Sequence, residues 1–214
     1  MASDLQSLSD EQLARQSQDG SLVAFEELVY RYETRIYSFL AQSCPSPTVA
    51  QELTQDTFVR AFQALAQFDS RKTFAPWLFT IARHKCIDYY RRSPPANNEP
   101  IPELPDNDDP AELLARDEER HNLWQLARRS LPQNQFHALW LRYVEEMNVA
   151  EIAQAMQRTK TGVKVLLFRA RQTLSDALEI AGLAPQGFER QATKTSLKPF
   201  DTHVSLKKAK PSLV

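Results

Sequence analysis

Between Ser93 and Pro110 the chain carries six prolines, five acidic residues and almost no large apolar side chains. Proline removes a backbone donor and fixes φ, so neither a helix nor a central strand can run through such a stretch. With so little to bury, the segment has no core of its own. It therefore divides the chain, and whatever folds must do so as one unit before it and another after it. The reading is a flexible acidic linker over 93–110, charged by Glu99, Glu103, Asp106, Asp108 and Asp109.

Both flanking segments read as helical. Four glycines in 214 residues are too few for the positive-φ turns that an all-β chain needs. Ser9 and Gln12 form a capping-box pattern for a short helix over about 9–17. Asp19-Gly20-Ser21 is a turn followed by an N-cap. Leu22, Phe25, Leu28, Val29, Tyr32, Ile36, Phe39 and Leu40 then repeat at three- and four-residue steps, predicting a helix over about 21–43. Ser46-Pro47 opens the next helix, running to about Gln67, with Leu53, Thr57, Ala61 and Leu65 inward and Phe58 and Phe62 beside them. Thr73 can cap a fourth helix, in which Pro76 is tolerable because it lies in the first turn.

Beyond the linker, Asp109-Pro110 restarts order. One helix carries Leu113, Leu114, Leu123, Leu126 and Ala127, and another opens at Pro132 with Phe136, Leu139, Trp140 and Tyr143. Asn148 caps a short helix with Ile152, Ala153 and Met156 on its inner face. After a break at Gln157-Arg158, Thr159 caps a longer helix with Val163, Leu167, Ala170, Leu174 and Leu178 at core spacing. A short helix, a tight turn and a longer basic helix make the helix-turn-helix pattern. The fold class is all-α: two small helical domains joined by the acidic linker, the second a helix-turn-helix. The boundaries are a short N-terminal segment 1–20, domains 21–92 and 111–182, and a basic flexible tail 183–214.

Charge is segregated along this plan. The formal net charge is −1, which by itself says nothing about nucleic acid. Arg71 to Arg92 nevertheless holds six basic residues against one acid, Asp88, and Gln157 to Leu174 holds five basic residues and no acid. Two basic surfaces on two small domains suggest two contacts with one long polyanion such as DNA. The segment FAPWLFTIARHKCIDYYRRS, Phe74 to Ser93, is greasy in its first half and interleaves cations with flat rings in its second.

Several function classes are not supported. No run of 18 apolar residues predicts a membrane span, and the polar, acidic start is unlike a signal peptide. Cys44 and Cys86 are far apart and form no CxxC, as reduced residues of a cytoplasmic protein would be. Four scattered histidines make no metal pattern. There is no nucleophile constellation or glycine-rich phosphate loop, so the expectation is a non-enzyme without metal or cofactor.

The chain resembles bacterial RNA polymerase sigma factors of the sigma-70 family, extracytoplasmic-function subfamily. AFEELVYRYETRIYSFL resembles the opening helix of the family's promoter-melting domain, and AQELTQDTFVRAFQALAQF its polymerase-binding helix. FAPWLFTIARHKCIDYYRR resembles its −10 reader. LPQNQFHALWLRYVEEMNVAEIAQAMQRTKTGVKVLLFRARQTL resembles its −35-binding helix-turn-helix. The four segments stand in the family's order, over roughly 20–92 and 111–178.

The resemblance implies binding to core RNA polymerase, at the clamp helices of its largest subunit and at its flap. It also implies recognition and melting of promoter DNA, and regulation by an anti-sigma protein. For the −10 element and non-template strand it implies the loop Asp69, Ser70, Arg71, Lys72 and Thr73, with Arg83, His84, Lys85, Tyr89 and Arg91. For the −35 element it implies Lys160, Thr161, Lys164 and Phe168, with phosphate contacts from Arg158, Arg169 and Arg171. For the polymerase it implies Glu52, Gln55 and Asp56. Composition alone favours a solvated face for the basic and aromatic residues; the ordered resemblance is what favours DNA. Val165 can touch a thymine methyl or be merely exposed.

Three positions depart from the family's habit. His84 stands where many relatives have asparagine, Gln157 where the turn usually has glycine, and Leu166 where a polar residue is common. A stand-alone helix-turn-helix regulator and a sigma-like interaction module that has lost DNA binding are the alternative readings.

Overall fold

The computed structural model describes residues 5–92 and 122–181. The linker 93–110, the first part of the helix expected to begin at 110 and the tail from Leu183 lie outside these residues, whereas Leu123, Leu126 and Ala127 of that helix lie within them. The described elements are helices, apart from one 3-10 turn: α1 (Asp10–Gln18), α2 (Leu22–Ala41), α3 (Pro47–Ala64) continued by a 3-10 turn at Leu65–Gln67, α4 (Phe74–Arg92), α5 (residues 122–130), α6 (Gln133–Tyr143), α7 (Val149–Ala155) and α8 (Lys160–Ile180). They fall into two compact units. Among the described residues, one groups 5–92 with 150–158, and the other groups 122–149 with 159–181.

The caps predicted from sequence at Ser9, Ser21, Ser46 and Thr159 form. Ser9 and Gln12 make the reciprocal capping box of α1. The Ser21 side chain accepts from Ala24 N–H, and the Ser46 side chain accepts from Val49 N–H with Pro47 in the first turn. Each satisfies a backbone donor that the helix itself cannot. Between α1 and α2, Gly20 takes a φ of 100°, which a side chain would resist.

In the first unit, α2 lies against α1, α3 and α4. Leu28, Tyr32, Ile36, Phe39 and Leu40 of α2 are buried, as are Leu53, Thr57 and Ala61 of α3 and Phe74, Leu78, Phe79, Ala82 and Cys86 of α4. The junction is aromatic. Phe74 meets Tyr32, Phe68 and Trp77 with ring centroids 5.4–5.5 Å apart. Its backbone N–H donates to Glu11 Oε1 at 3.0 Å, so α1 supplies the acceptor for the first turn of α4. The Gln18 amide donates to the carbonyls of Leu65 and Phe68, at 2.8 and 2.7 Å. Arg31 donates to Glu27, to Asp10 and to the carbonyls of Leu5, Gln6 and Leu8, tying the N-terminal segment to α2. Tyr32 donates its hydroxyl to Asp10; burial first, then that carboxylate, pushes the phenol above its ordinary range.

In the predicted α2 stripe Phe25 and Val29 are half-buried and Leu22 is exposed, as is Phe62, which the sequence places beside the inward set of α3. Leu22 is 61% exposed, because it is the first residue of α2 and no preceding turn covers it. Phe62 is 47% exposed, with its ring against Phe25 at 5.0 Å.

In the second unit, α6 packs along α8. Trp124 of α5 joins Phe136 and Trp140 of α6, at 5.9 and 5.1 Å between centroids. Val163, Leu167, Ala170 and Leu174 face inward, whereas Leu178 is only half-buried. The reason is length: at about 1.5 Å per residue, α6 spans about 16 Å and α8 about 31 Å, so the end of α8 outruns its partner.

The break before α8 takes the conformation that its position demands. Gln157 has a φ of 52°, in the left-handed region where a β-carbon is disfavoured. Thr159 then caps α8, its hydroxyl accepting from Gly162 N–H at 3.0 Å. A β-carbon at residue 162 would stand 3.2 Å from that hydroxyl, so glycine leaves the cap its room.

Two stability predictions follow from this packing. Phe74→Ala lowers the unfolding free energy by about 3–5 kcal/mol, read by urea titration with circular dichroism. Gln157→Gly raises it by about 1 kcal/mol by relieving the left-handed backbone, read in the same assay.

Candidate nucleic-acid interface

The downstream candidates lie on and beside α4. Its first half is held by the aromatic junction, so its second half projects from a fixed base. Cys86 Sγ and Tyr90 Oη both donate to the Ser43 carbonyl just past α2, at 3.7 and 2.8 Å. Tyr90 is therefore anchored. Tyr89 stands edge-on to it at 5.5 Å and is half-buried, which leaves part of its ring to solvent. His84, Arg91 and Arg92 are exposed. Arg91 pairs with Asp88 one turn back at 3.1 Å. Arg83 is placed differently: it is only 8% exposed, and burial pushes its guanidinium below its ordinary value.

The loop before α4 is ordered by its own charges. Asp69 Oδ1 accepts from the Arg71 N–H and from Arg71 Nε at 3.1 and 2.9 Å, while Oδ2 accepts from the other guanidinium nitrogen at 3.0 Å. The Asp69 carbonyl also accepts from Lys72 N–H, closing the turn. These hydrogen bonds from Arg71 hold the Asp69 carboxyl down at about 2. The Arg71 side chain is thus aimed by Asp69 although it is almost fully exposed. Lys72 and Thr73 are exposed and Ser70 is half-buried.

The polymerase candidates Glu52, Gln55 and Asp56 are exposed together on α3, opposite buried Leu53, Thr54 and Thr57. Asp56 is not independent of α4, because its carboxylate accepts from Lys85 Nζ at 2.9 Å. One ion pair therefore joins a residue assigned to the polymerase face with one assigned to the strand face.

The upstream candidates lie on α8, except Arg158, which precedes its cap in the chain. Arg158, Lys160, Thr161, Lys164, Phe168 and Arg169 are exposed, and Arg171 is half-buried. Phe168 is 60% exposed and Val165 44%. The outer surface thus combines cations with two apolar side chains. Leu166 is half-buried, consistent with its place beside the inward stripe.

Sequence reasoning missed Glu11, Gln18 and Tyr90 as positioning residues. Each acts over a separation of more than forty positions, or sixty-three for Glu11 and Phe74, and no local pattern marks such a partner. Trp124 was also passed over as a core residue.

Among the described residues no helix is long and apolar enough to cross a membrane, and no group of side chains could hold a metal ion. The family description "Sigma-70 region 2" matches residues 28–94, and "Sigma-70, region 4" matches residues 122–174. The chain is 29% identical over 182 residues to the RNA polymerase sigma-H factor of Pseudomonas aeruginosa, covering 79% of this chain and 94% of that one. It is 30% identical over 160 residues to the ECF RNA polymerase sigma factor SigM of Bacillus subtilis, covering 71% and 93%. Among solved structures, CnrH in complex with the cytosolic domain of CnrY is similar with a TM-score of 0.63 and 26% identity, over 80% of this chain and 97% of that one. The two matched regions are the two segments that carry the basic surfaces, in the same order. The chain belongs to the sigma-70 family of RNA polymerase sigma factors, in its extracytoplasmic-function group.

Proposed function

We propose that this chain binds core RNA polymerase and directs it to promoters, acting in the cytoplasm as a specificity factor without enzymatic activity of its own. The observation that carries this reading is the ordered match of region 2 and region 4 to two helical segments, each with outward-facing cations. The exposed side chains of Glu52, Gln55 and Asp56 offer hydrogen-bonding and acidic groups to the clamp helices of the polymerase. Lys160, Thr161, Lys164 and Phe168 meet the −35 element in the major groove, with Arg158, Arg169 and Arg171 on phosphates.

Downstream, Tyr89 stacks on an unpaired base while His84, Lys85 and Arg91 hold the strand. The Asp69–Thr73 loop receives a flipped −10 base. Arg83 lies inward, so its part is to support this surface. An anti-sigma protein is the regulatory partner, a reading supported by the likeness to CnrH, which was solved with a protein bound.

The decisive experiment is a DNA titration of the free protein and of the reconstituted holoenzyme at matched salt, with run-off transcription from genomic fragments. Five cations on each face are too few for tight specific binding alone. The free protein should bind promoter duplex weakly and with little preference, and the holoenzyme should bind it specifically. Tight, specific binding by the free protein would overturn the reading in favour of a stand-alone regulator.

Two substitutions refine this. Lys164→Glu should weaken promoter-specific initiation by about tenfold, the scale of one lost contact of about 1–3 kcal/mol, and leave folding intact because Lys164 is exposed. Tyr89→Ala should cost about 1–3 kcal/mol of open-complex stability. Because stacking becomes available only on unpaired bases, a pre-melted template should restore much of that loss; equal defects on melted and duplex templates would remove Tyr89 from strand capture.

A further inference from the structure

We propose that the Lys85–Asp56 ion pair is a charge lock that makes strand capture depend on polymerase binding: a cation or N–H donor of core polymerase that takes Asp56 releases Lys85 to the non-template strand. The inference rests on the reading above and adds an energetic coupling between its two contact surfaces.

This pair differs from the other ion pairs on and beside α4. Asp69 and Arg71 belong to one loop, and Asp88 and Arg91 are neighbours on one helix. Lys85 Nζ and Asp56 Oδ2 stand 2.9 Å apart although they are separated by 29 positions in the chain, and they join α4 to α3. Burial fixes both helices at this point. Thr57, beside Asp56, is fully buried, as are Ala82 and Cys86 on either side of Lys85. Opening the pair therefore takes side-chain rotation and no movement of either helix.

The two partners are unequally open. The Asp56 side chain is 53% exposed and that of Lys85 29%, so an approaching macromolecule meets the carboxylate first. Glu52, one turn earlier on α3, is exposed as well. This face thus presents two carboxylates and is complementary to a basic surface, not to DNA. A phosphate that reaches Lys85 finds its charge already matched by Asp56. Once another cation holds Asp56, the same ammonium is worth more to a phosphate.

The coupling is reciprocal: whatever polymerase binding adds to strand affinity, strand binding adds to polymerase affinity. Its size is bounded by the strength of the pair, which for a partly exposed ion pair corresponds to a factor of about two to five.

The test is a mutant cycle on the full chain. Strand affinity is read by fluorescence anisotropy with a labelled single-stranded oligonucleotide, the non-template −10 strand of a promoter identified by run-off transcription. In the free protein Asp56→Ala should tighten binding about two- to fivefold. Glu52→Ala removes the same charge from the same face one turn away, and should give a distinctly smaller gain. In a Lys85→Met background Asp56→Ala should give no more than Glu52→Ala does. In holoenzyme at saturating core polymerase, with core alone as the blank, the gain from Asp56→Ala should vanish because Asp56 is already engaged. Circular dichroism checks that the variants remain folded.

Equal gains from Asp56→Ala and Glu52→Ala, or a gain that survives Lys85→Met, would overturn the lock and leave a general charge effect. A gain that persists undiminished in holoenzyme would overturn the coupling to polymerase while leaving the sigma reading in place. Failure of the wild-type chain to bind core polymerase and start promoter-specific transcription would instead overturn the sigma reading, and the inference with it.

Discussion

The first unit depends on what happens at Phe74. Its ring is buried against Tyr32 from α2, Phe68 from the segment after α3 and Trp77 from its own helix, while its N–H is taken by Glu11 of α1. One residue thus gathers α1, α2 and the segment that follows α3. Aromatic pairs add to simple area burial because edge-to-face geometry fixes orientation as well as contact. The consequence is directional. With the first turn of α4 immobilised, the helix axis is set, and the basic and aromatic residues of its second half are delivered to a defined surface. Pro76 is compatible with this because it lies in the first turn, where its missing donor would have had no helical acceptor.

Electrostatics then decides which cations are available. Arg71, Lys85 and Arg91 each have a carboxylate partner, from Asp69, Asp56 and Asp88 respectively. These pairs are at least partly exposed and contribute little stability. Their effect is on orientation: each holds a long side chain in one direction. The Lys85–Asp56 pair is of particular interest because it couples α3 to α4. Whatever engages Asp56 bears on Lys85, so the face proposed for the polymerase and the face proposed for the strand share a charge. On α8 the situation is simpler, with an exposed outer surface that holds cations and apolar groups and, through Leu174, no acid.

Much of the architecture was legible because it is written in short-range chemistry. Caps at Ser9, Ser21, Ser46 and Thr159 depend on residues three positions away, and the inward stripes of α2, α3, α6 and α8 depend on helical periodicity. The left-handed turn residue was legible at Gln157 because the helix-turn-helix pattern places a turn there. The candidate site was legible in composition but not in availability. Sequence placed Arg83 beside His84 and Lys85 as one cationic row, yet one side chain is buried, one exposed and one bound to Asp56. Successive helix positions are rotated by about 100°, and which sector meets the core cannot be read from charge alone.

By itself the sequence determined that this protein is helical, that an acidic proline-rich segment interrupts the helical pattern, and that a basic stretch lies on either side of it. Glycine scarcity, proline placement and periodicity act locally and do not need to know what packs on what. Only the tertiary structure decided that Glu11 completes α4, that Tyr90 is an anchor and Tyr89 partly open, and that Leu22 and Phe62 remain outside the core. It also decided that Val165 and Phe168 stand exposed between cations. These outcomes depend on which surfaces helices distant in sequence bring together, and on where a short helix stops covering a long one.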